Sequence, residues 1–435
     1  MATQSHLGAL SVCNLTFFTF GLLAVFPALT FAQQPLTLQD CLRLAGAAPS
    51  AVTVARQERD IAARDATQAR AGFLPQSRVD SGLIYNSPLR SDRSVQSFIP
   101  LNAIREYLFL FSATQEFDTS GRLRAEYARA RAGQELATAS LGLAQRNLKR
   151  AVTAAYYRAL LSRRVVRIAQ DALAGSESFE KRTKALFEGG ESAQADVVKA
   201  SAQVAFLQQA LNTADLEARL ANQDLASFWT RDVAQTVPLV DVLEDAPPAP
   251  EAEAAQGAPF LKRLEFGIID AQRKGFEADA RGARSALLPQ LSAMFQYGLD
   301  APAVQIRDRG YAAFLNLTIP VFDWMKARSA VEQARLRAQQ VETNRAISER
   351  TFSREYQSAL ARVKQLFERI SLTRRQVELA GDDLRLSRIR YEGGEGSALD
   401  VVTAQNQLAQ ARTNYDTAMA DYLNAKADLE VASGR

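Results

Sequence analysis

Two long tracts of the sequence contain no proline, the residue that interrupts helices most strongly. They cover residues 121–237 and 321–435, and both are rich in Ala, Leu, Arg, Gln and Glu, which favour helices. Each tract is interrupted once by a pair of glycines, Gly189-Gly190 in the first and Gly393-Gly394 in the second. A glycine pair ends one helix and turns the chain, so each tract is predicted to be a helical hairpin.

The arm before each glycine pair is unusually long. It has 67 residues in both tracts, 122–188 and 326–392, or about 100 Å of helix at a rise of ~1.5 Å per residue. Ordinary globular domains do not contain helices of this length. The sequence therefore predicts a mainly helical protein built on two elongated hairpins.

The second arm of each hairpin has apolar residues at alternating spacings of three and four. A period of 3.5 residues is typical of a coiled-coil seam and predicts a left-handed supercoil. The ten positions in the first copy are Val197, Ala200, Val204, Leu207, Leu211, Ala214, Ala218, Ala221, Leu225 and Phe228. Those in the second copy are Val401, Ala404, Leu408, Ala411, Tyr415, Ala418, Tyr422, Ala425, Leu429 and Ala432.

The chain is duplicated. Three short motifs recur in the same order: Leu-Pro-Gln at 74–76 and 288–290, Phe-Asp at 117–118 and 322–323, and Glu-Gly-Gly-Glu at 188–191 and 392–395. A stretch rich in proline and alanine separates the copies and is typical of a linker. The predicted units are a signal peptide at 1–32, a first repeat at 33–243, a linker at 244–260 and a second repeat at 261–435.

The segments before the hairpins follow a different period. Apolar and polar residues alternate over 79–85, 107–113, 291–297 and 313–321, which predicts strands. Each repeat thus supplies one β-hairpin with strands of about ten residues, the length of a membrane-spanning strand. Residues 86–102 and 298–309 are predicted to be the loops at the outer end.

The N-terminal segment is predicted to be an export signal. Residues 1–32 contain no charged side chain, and their apolar run ends in Thr30-Phe31-Ala32, which fits a cleavage site. An uncleaved membrane anchor and a lipid on Cys13 are the alternatives. After Ala32 no run reaches the ~18 apolar residues of a spanning helix, so membrane insertion is predicted to use strands.

Removal of this segment restricts the chemistry of the mature chain. His6 is the only histidine, and Cys41 is then the only cysteine, predicted to be a small buried or half-buried apolar residue. Zinc sites, histidine-based catalysis and an intramolecular disulfide are thereby excluded. The net charge of +4 is spread along the chain, unlike the basic patch of a nucleic-acid-binding protein. We predict no cofactor, no metal and no enzymatic activity.

The duplicated plan resembles the TolC-like outer-membrane efflux channel family over essentially the whole mature chain. The resemblance is carried by the two Leu-Pro-Gln junctions, by Ile-Pro-Val-Phe-Asp at 319–323 and by Tyr-Glu-Gly-Gly-Glu-Gly-Ser-Ala-Leu-Asp-Val-Val at 391–402. It implies a homotrimer in the outer membrane, in which four strands per protomer form one twelve-stranded β-barrel. It also implies that the helices form a periplasmic α-barrel, the tunnel, with the glycine turns at its inner end.

The residues themselves also call for oligomerisation. Four strands cannot close a barrel, which needs about eight, and open sheet edges are not tolerated in lipid. The function implied by the resemblance is a passive exit duct that serves a periplasmic adaptor protein and an inner-membrane pump, for efflux or type I secretion. A periplasmic adaptor or tethering coiled coil is the alternative. The sequence does not identify the cargo.

The resemblance also implies residue roles at the inner entrance. Asp400 matches an aspartate that narrows the pore, and Asp196 is its counterpart in the first repeat; Asp400 has an alternative role in a capping box with Ser397. Tyr391 is a candidate for hydrogen bonding across the entrance or, alternatively, a packed aromatic. Gly189, Gly190, Gly393 and Gly394 would contact the adaptor. Thr403 and Gly396 stand where the family has a second aspartate and a gating arginine, so any lock on the pore is predicted to differ.

Two pairs of arginines occur within the long helices, Arg163-Arg164 and Arg374-Arg375. They are predicted to lie on solvated helix faces, with a salt bridge between helices as the alternative.

Overall fold

A computed structural model describes residues 35–87, 104–244 and 257–434 of the chain. Its helices are α1 (Leu38–Ala47), α2 (Ala51–Ala71), α3 (Arg122–Glu188), α4 (Gln194–Ala226), α5 (Leu264–Ser285), α6 (Lys326–Glu392) and α7 (Ala398–Ala432). Its strands are β1 (Gln76–Tyr85), β2 (Arg105–Phe117), β3 (Gln290–Ala301) and β4 (Gly310–Thr318). The mainly helical fold with a small sheet is confirmed, and α3 and α6 each have the predicted 67 residues.

The two repeats share the order helix, two strands, long helix, second arm. The first repeat has one more helix, because α1 and α2 are separated at residues 48–50, which include Pro49. Helix α1 packs on α3. Residues 1–32 and most of 244–260 lie outside the described residues, so the domain boundaries stay predictions.

The four strands form one antiparallel sheet in the order β1-β2-β3-β4. Strands β2 and β3 join the two repeats, with Phe111 opposite Tyr297. Strands β1 and β4 are the two edges of the sheet. Both edges carry backbone groups with no partner strand within the described part of the chain.

Two of the differences between the predicted and the observed strand limits have a clear physical cause. Strand β4 ends at Thr318, so Ile319 and Val321 lie beyond it. The reason is Pro320, which has no N–H group to continue the ladder. Strand β3 extends through the residues predicted to begin the outer loop, because Gly298 pairs with Leu110 on one side and Gly310 on the other. Most of the other predicted loop, 88–102, lies outside the described residues.

The predicted seam faces the interior of the helical part. All twenty positions are buried or half-buried, and none is exposed. Antiparallel packing of α3 on α4 and of α6 on α7 covers this stripe, which confirms the 3.5-residue pattern.

The main apolar core lies where both repeats and α1 meet. Cys41 is fully buried there, as predicted, together with Tyr156, Leu225 and Tyr422. Burial raises the pKa of the Cys41 thiol to about 11, so the side chain remains a neutral thiol and acts as an apolar residue. The hydroxyl of Tyr156 donates to the carbonyl of Val240 at 2.8 Å, which fastens the segment after α4 to the core.

One face of the sheet carries most of its exposed apolar side chains, including Leu83, Phe109, Tyr311 and Leu315. A soluble sheet of this kind normally buries one face in a core. Among the helices of the described residues, none has both the length and the apolar character needed to cross a membrane.

Candidate functional site

The two hairpin tips have the same backbone geometry. In the first, Gly190 has φ +78° and donates to the carbonyl of Phe187, while Glu191 donates to Leu186. This pair of hydrogen bonds is a Schellman motif, which needs a left-handed residue immediately after the helix cap. The second tip repeats it at Gly394, whose φ is +77°.

The two glycines of each pair are therefore not equivalent. Gly189 and Gly393 have right-handed helical geometry, and a Cβ on either would have a nearest contact of about 3.5 Å, which is ordinary van der Waals distance. Only Gly190 and Gly394 need the conformational freedom of glycine. The Gly-Gly motif thus sets the turn through its second residue.

Asp400 is the third residue of α7 and is exposed. The N–H of Ser397 donates to its carboxylate at 3.1 Å, and the N–H of Asp400 donates to the Ser397 hydroxyl at 3.2 Å. These bonds to the backbone and side chain of Ser397 lower the pKa of Asp400, so its carboxylate is ionised at neutral pH. The capping box is therefore present, and an additional role in a pore stays a proposal.

Asp196 occupies the corresponding position in α4 but has a different environment. The residue before its helix is Ala193, which has no side chain that could cap the helix. Its carboxylate is 23% exposed and lies 4.0 Å from the Lys199 ammonium, a distance at which an ion pair contributes little. Capping by a side chain accounts for Asp400 but not for Asp196.

Tyr391 is buried between the two tips. Its ring packs edge to face on Phe179 of the other repeat, with centroids 5.1 Å apart. Its hydroxyl lies 3.4 Å from the hydroxyl of Ser192, on the opposite tip. Within one protomer, the ring of Tyr391 therefore packs against the other repeat, and its hydroxyl makes a polar contact with that repeat.

Polar contacts also join the tips. Arg182 pairs with Glu392 at 3.3 Å, and the Gln203 side-chain amide donates to Asn406 at 2.6 Å. A small apolar cluster lies next to them: Phe179, Ala200, Tyr391, Ala398 and Val401. The two tips thus form one unit, which brings both predicted aspartates to the same end of the molecule.

Arg164 does not lie on a solvated helix face, and the alternative of a salt bridge between helices holds for this residue. Arg164 is only 15% exposed and bonds to Asp241 at 2.9 Å, Glu244 at 3.0 Å and Asp416 at 3.5 Å. One guanidinium is therefore surrounded by three acids, which come from two parts of the chain that are both distant from Arg164 in sequence. Burial raises the pKa of Asp416, and the charge of Arg164 opposes that rise.

The second arginine pair remains on the surface. Arg375 pairs with Glu378, three residues later, and its side chain is 68% exposed. Arg374 is exposed and donates to the Tyr415 hydroxyl at 3.2 Å. The Arg164 cluster therefore has no counterpart at Arg374 and Arg375, and only the long-range contacts of the fold reveal it.

In residues 35–87, 104–244 and 257–434, no group of three or more His, Cys, Asp or Glu side chains is arranged to hold a metal ion. The tips offer carboxylates, amides and hydroxyls around a pair of turns closed by backbone hydrogen bonds.

Known proteins with similar sequences point to one family. A family profile described as "Outer membrane efflux protein" matches residues 43–230 and 265–435. Nodulation protein T of Rhizobium leguminosarum bv. viciae is 25% identical over 393 residues, 88% of this chain and 78% of that protein. The cobalt-zinc-cadmium resistance protein CzcC of Cupriavidus metallidurans is 24% identical over 421 residues, 93% of this chain and 91% of that protein.

Another relative and a set of solved structures agree with this. The pyoverdine export outer membrane protein OpmQ of Pseudomonas aeruginosa is 24% identical over 318 residues, 72% of this chain and 66% of that protein. The fold matches the CmeC outer membrane channel of Campylobacter jejuni with a TM-score of 0.80 and 16% identity, covering 91% of this chain and 85% of that one. The fold also matches the open state of the MtrE outer membrane channel of Neisseria gonorrhoeae with a TM-score of 0.80 and 20% identity. This match covers 91% of this chain and 88% of that one.

Proposed function

The chain belongs to the family of outer membrane efflux proteins, and we propose that three copies of it form one exit duct. Its function is efflux through the outer membrane. A large portion of the protein lies in the periplasm. The adaptor alternative fails, because the family profile and the fold are those of outer membrane channels. The finer parts of the proposal concern the trimer, its partners and its entrance.

The proposal of a trimer is supported by the two open edges of the four-stranded sheet. In lipid every backbone N–H and C=O group needs a partner. Strand β4 of one copy can pair with β1 of the next, and three copies then close a ring of twelve strands. Rotational symmetry makes these contacts identical around the ring. The exposed apolar side chains on the sheet provide the surface that contacts outer-membrane lipid.

The partners are proposed from family membership and from the shape of the tips. An outer-membrane duct needs a source of energy elsewhere, so we assign it an inner-membrane pump and a periplasmic adaptor protein. The turns at Gly189, Gly190, Gly393 and Gly394 are exposed and closed by backbone hydrogen bonds, and they are proposed to contact the adaptor. The relatives named for pyoverdine and for cobalt, zinc and cadmium differ in cargo, so family membership leaves the cargo open.

The entrance is proposed to be an acidic constriction. Three copies each of Asp196 and Asp400 would place six carboxylates at one end of the tunnel, and rings of Asp or Glu favour cations. The lowered pKa of Asp400 keeps that side chain charged. Thr403 and Gly396 replace the other entrance residues of the family, so the ring is proposed to set selectivity more than to lock the pore. The Tyr391 hydroxyl is proposed to add a hydrogen bond at this entrance.

Replacement of both aspartates tests the constriction. For the Asp196→Asn, Asp400→Asn variant we expect cation preference in planar bilayers to fall several-fold, toward that of an uncharged pore. The wild-type preference should persist at neutral pH. It should decline as pH falls below the ordinary aspartate pKa of 3.8, because the pKa of Asp400 lies lower still and protonation removes the charge.

Two control variants separate charge from helix capping. The Ser397→Ala variant removes the cap but keeps the carboxylate, and it should retain cation preference. The Glu191→Gln, Glu395→Gln variant neutralises the exposed acids of the turns and should have a smaller effect. If the aspartate variant conducts with unchanged cation preference, the constriction is wrong and Asp400 is only a cap.

A further inference from the structure

An exposed apolar segment connects β4 to α6, and apart from Phe322, whose counterpart is Phe117, its residues have no apolar equivalent in the first repeat. Its members and their exposed fractions are Ile319 57%, Val321 93%, Phe322 71%, Trp324 85% and Met325 58%. The rings of Phe322 and Trp324 contact each other edge to face, with centroids 4.7 Å apart. Large aromatic side chains that remain this exposed in a protomer are typical of an interaction surface.

The turn itself does not require these residues. In the first repeat the junction is Thr119-Ser120-Gly121, which is small and polar, and Thr119 donates to the carbonyl of Pro289 at 2.9 Å. An aspartate fixes both junctions. Asp118 accepts the N–H of Leu123 at 3.0 Å, and Asp323 accepts the N–H of Ala327 at 2.8 Å.

The backbone disfavours large side chains at this junction. Trp324 has φ +51° and Met325 has φ +63°, the left-handed region in which a Cβ is strained. The first repeat has Gly121 there, with φ +80°. Bulky apolar residues at strained positions point to a role for the side chains themselves.

The position of the segment indicates its partner. It begins where the apolar strand β4 ends, at the rim of the sheet nearest the helices. Lys326 and Arg328 follow at once and are both exposed. Along the chain, the apolar strand is followed by the aromatic pair and then by the basic residues. The same order occurs at a membrane boundary, where indole rings lie at the level of the headgroups and cationic side chains contact anionic headgroups.

We propose that Phe322 and Trp324 anchor the protein in the periplasmic boundary of the outer-membrane bilayer. The inference rests on the proposed insertion of the sheet into that membrane. The indole of Trp324 lies among the lipid headgroups and upper acyl chains. Met325 extends the apolar contact, and Lys326 and Arg328 face lipid phosphates.

Tryptophan fluorescence tests this directly, because the chain has only two tryptophans, Trp229 and Trp324. The Trp229→Phe variant, reconstituted into phosphatidylcholine vesicles, reports on Trp324 alone. We expect about a twofold or greater loss of emission when the acyl chains carry bromine near the headgroup. Acrylamide in the water should quench it weakly.

The Trp324→Phe variant is the matched control. It leaves Trp229, which packs against the apolar core of the helical part, so brominated lipid should not quench it. Flotation of each variant with the vesicles is measured in parallel. If the protein floats but bromine leaves Trp324 unquenched, the anchor is wrong. If Trp324 is then also shielded from acrylamide, its partner is a second copy of the chain. A protein that fails to float contradicts the proposed membrane insertion instead.

Discussion

The Gly298→Ala substitution is expected to prevent the chain from assembling in the outer membrane. A Cβ at this position would lie 1.9 Å from the carbonyl oxygen of Phe109 and 2.9 Å from the Cα of Leu110. Both atoms belong to the backbone of β2, so no side-chain rotation relieves the overlap. The β2–β3 pair must separate there, and it is the sheet contact that joins the two repeats. We expect a loss above about 4 kcal/mol, large enough to unfold a marginally stable sheet.

The measurement is the amount of protein in purified outer membranes. Gly310→Ala is the matched control, because Gly310 is paired with Gly298 in the same sheet and a Cβ there meets no atom within 4 Å. Gly310→Ala should reach the outer membrane at nearly the wild-type level, whereas Gly298→Ala should be strongly depleted. Equal amounts of the two variants would contradict the strand register.

The Arg164→Met substitution is expected to destabilise the contact between the two repeats in the helical part. It removes the guanidinium that bridges Asp241, at the end of the first repeat, and Asp416 on α7 of the second. The Asp416 side chain is 7% exposed and would become a buried acid without its partner. Breaking a buried ion pair in this way typically costs about 3–5 kcal/mol. Denaturant unfolding followed by helical circular dichroism measures the loss.

A neighbouring arginine supplies the control. Arg167 lies on the same helix and pairs with Glu244 at 3.6 Å, but its side chain is 64% exposed. Arg167→Met should therefore cost less than about 1 kcal/mol. Adding Asp416→Leu to Arg164→Met should recover part of the stability, because the unpaired carboxylate is then removed. Equal stabilities of Arg164→Met and Arg167→Met would argue against the cluster.

The sequence predicts the helices well because their determinants are local. Freedom from proline, a glycine pair and a 3.5-residue apolar period suffice to define α3, α6 and the seam. Duplication adds an independent check, since each pattern occurs twice. The turn chemistry is equally local, although the structure is needed to distinguish the second glycine of each pair from the first.

The features that the sequence did not reveal depend on contacts between distant residues. The burial of Arg164 depends on partners that are 77 and 252 residues away along the chain. Strand β3 extends through Gly298 because β2 and β4 both pair with it. Phe322 belongs to the Ile-Pro-Val-Phe-Asp motif and Trp324 follows it directly, yet only the structure reveals how exposed both side chains are.

The assembly itself gives the most direct test of the proposed duct. Protein extracted from purified outer membranes in mild detergent is weighed intact by native mass spectrometry. We expect one species with the mass of three processed chains, since three copies of the four-stranded sheet close the ring. A folded single chain in that extract, or a stable monomer recovered only from the soluble periplasm, would contradict the proposal that this chain forms a trimeric outer-membrane duct.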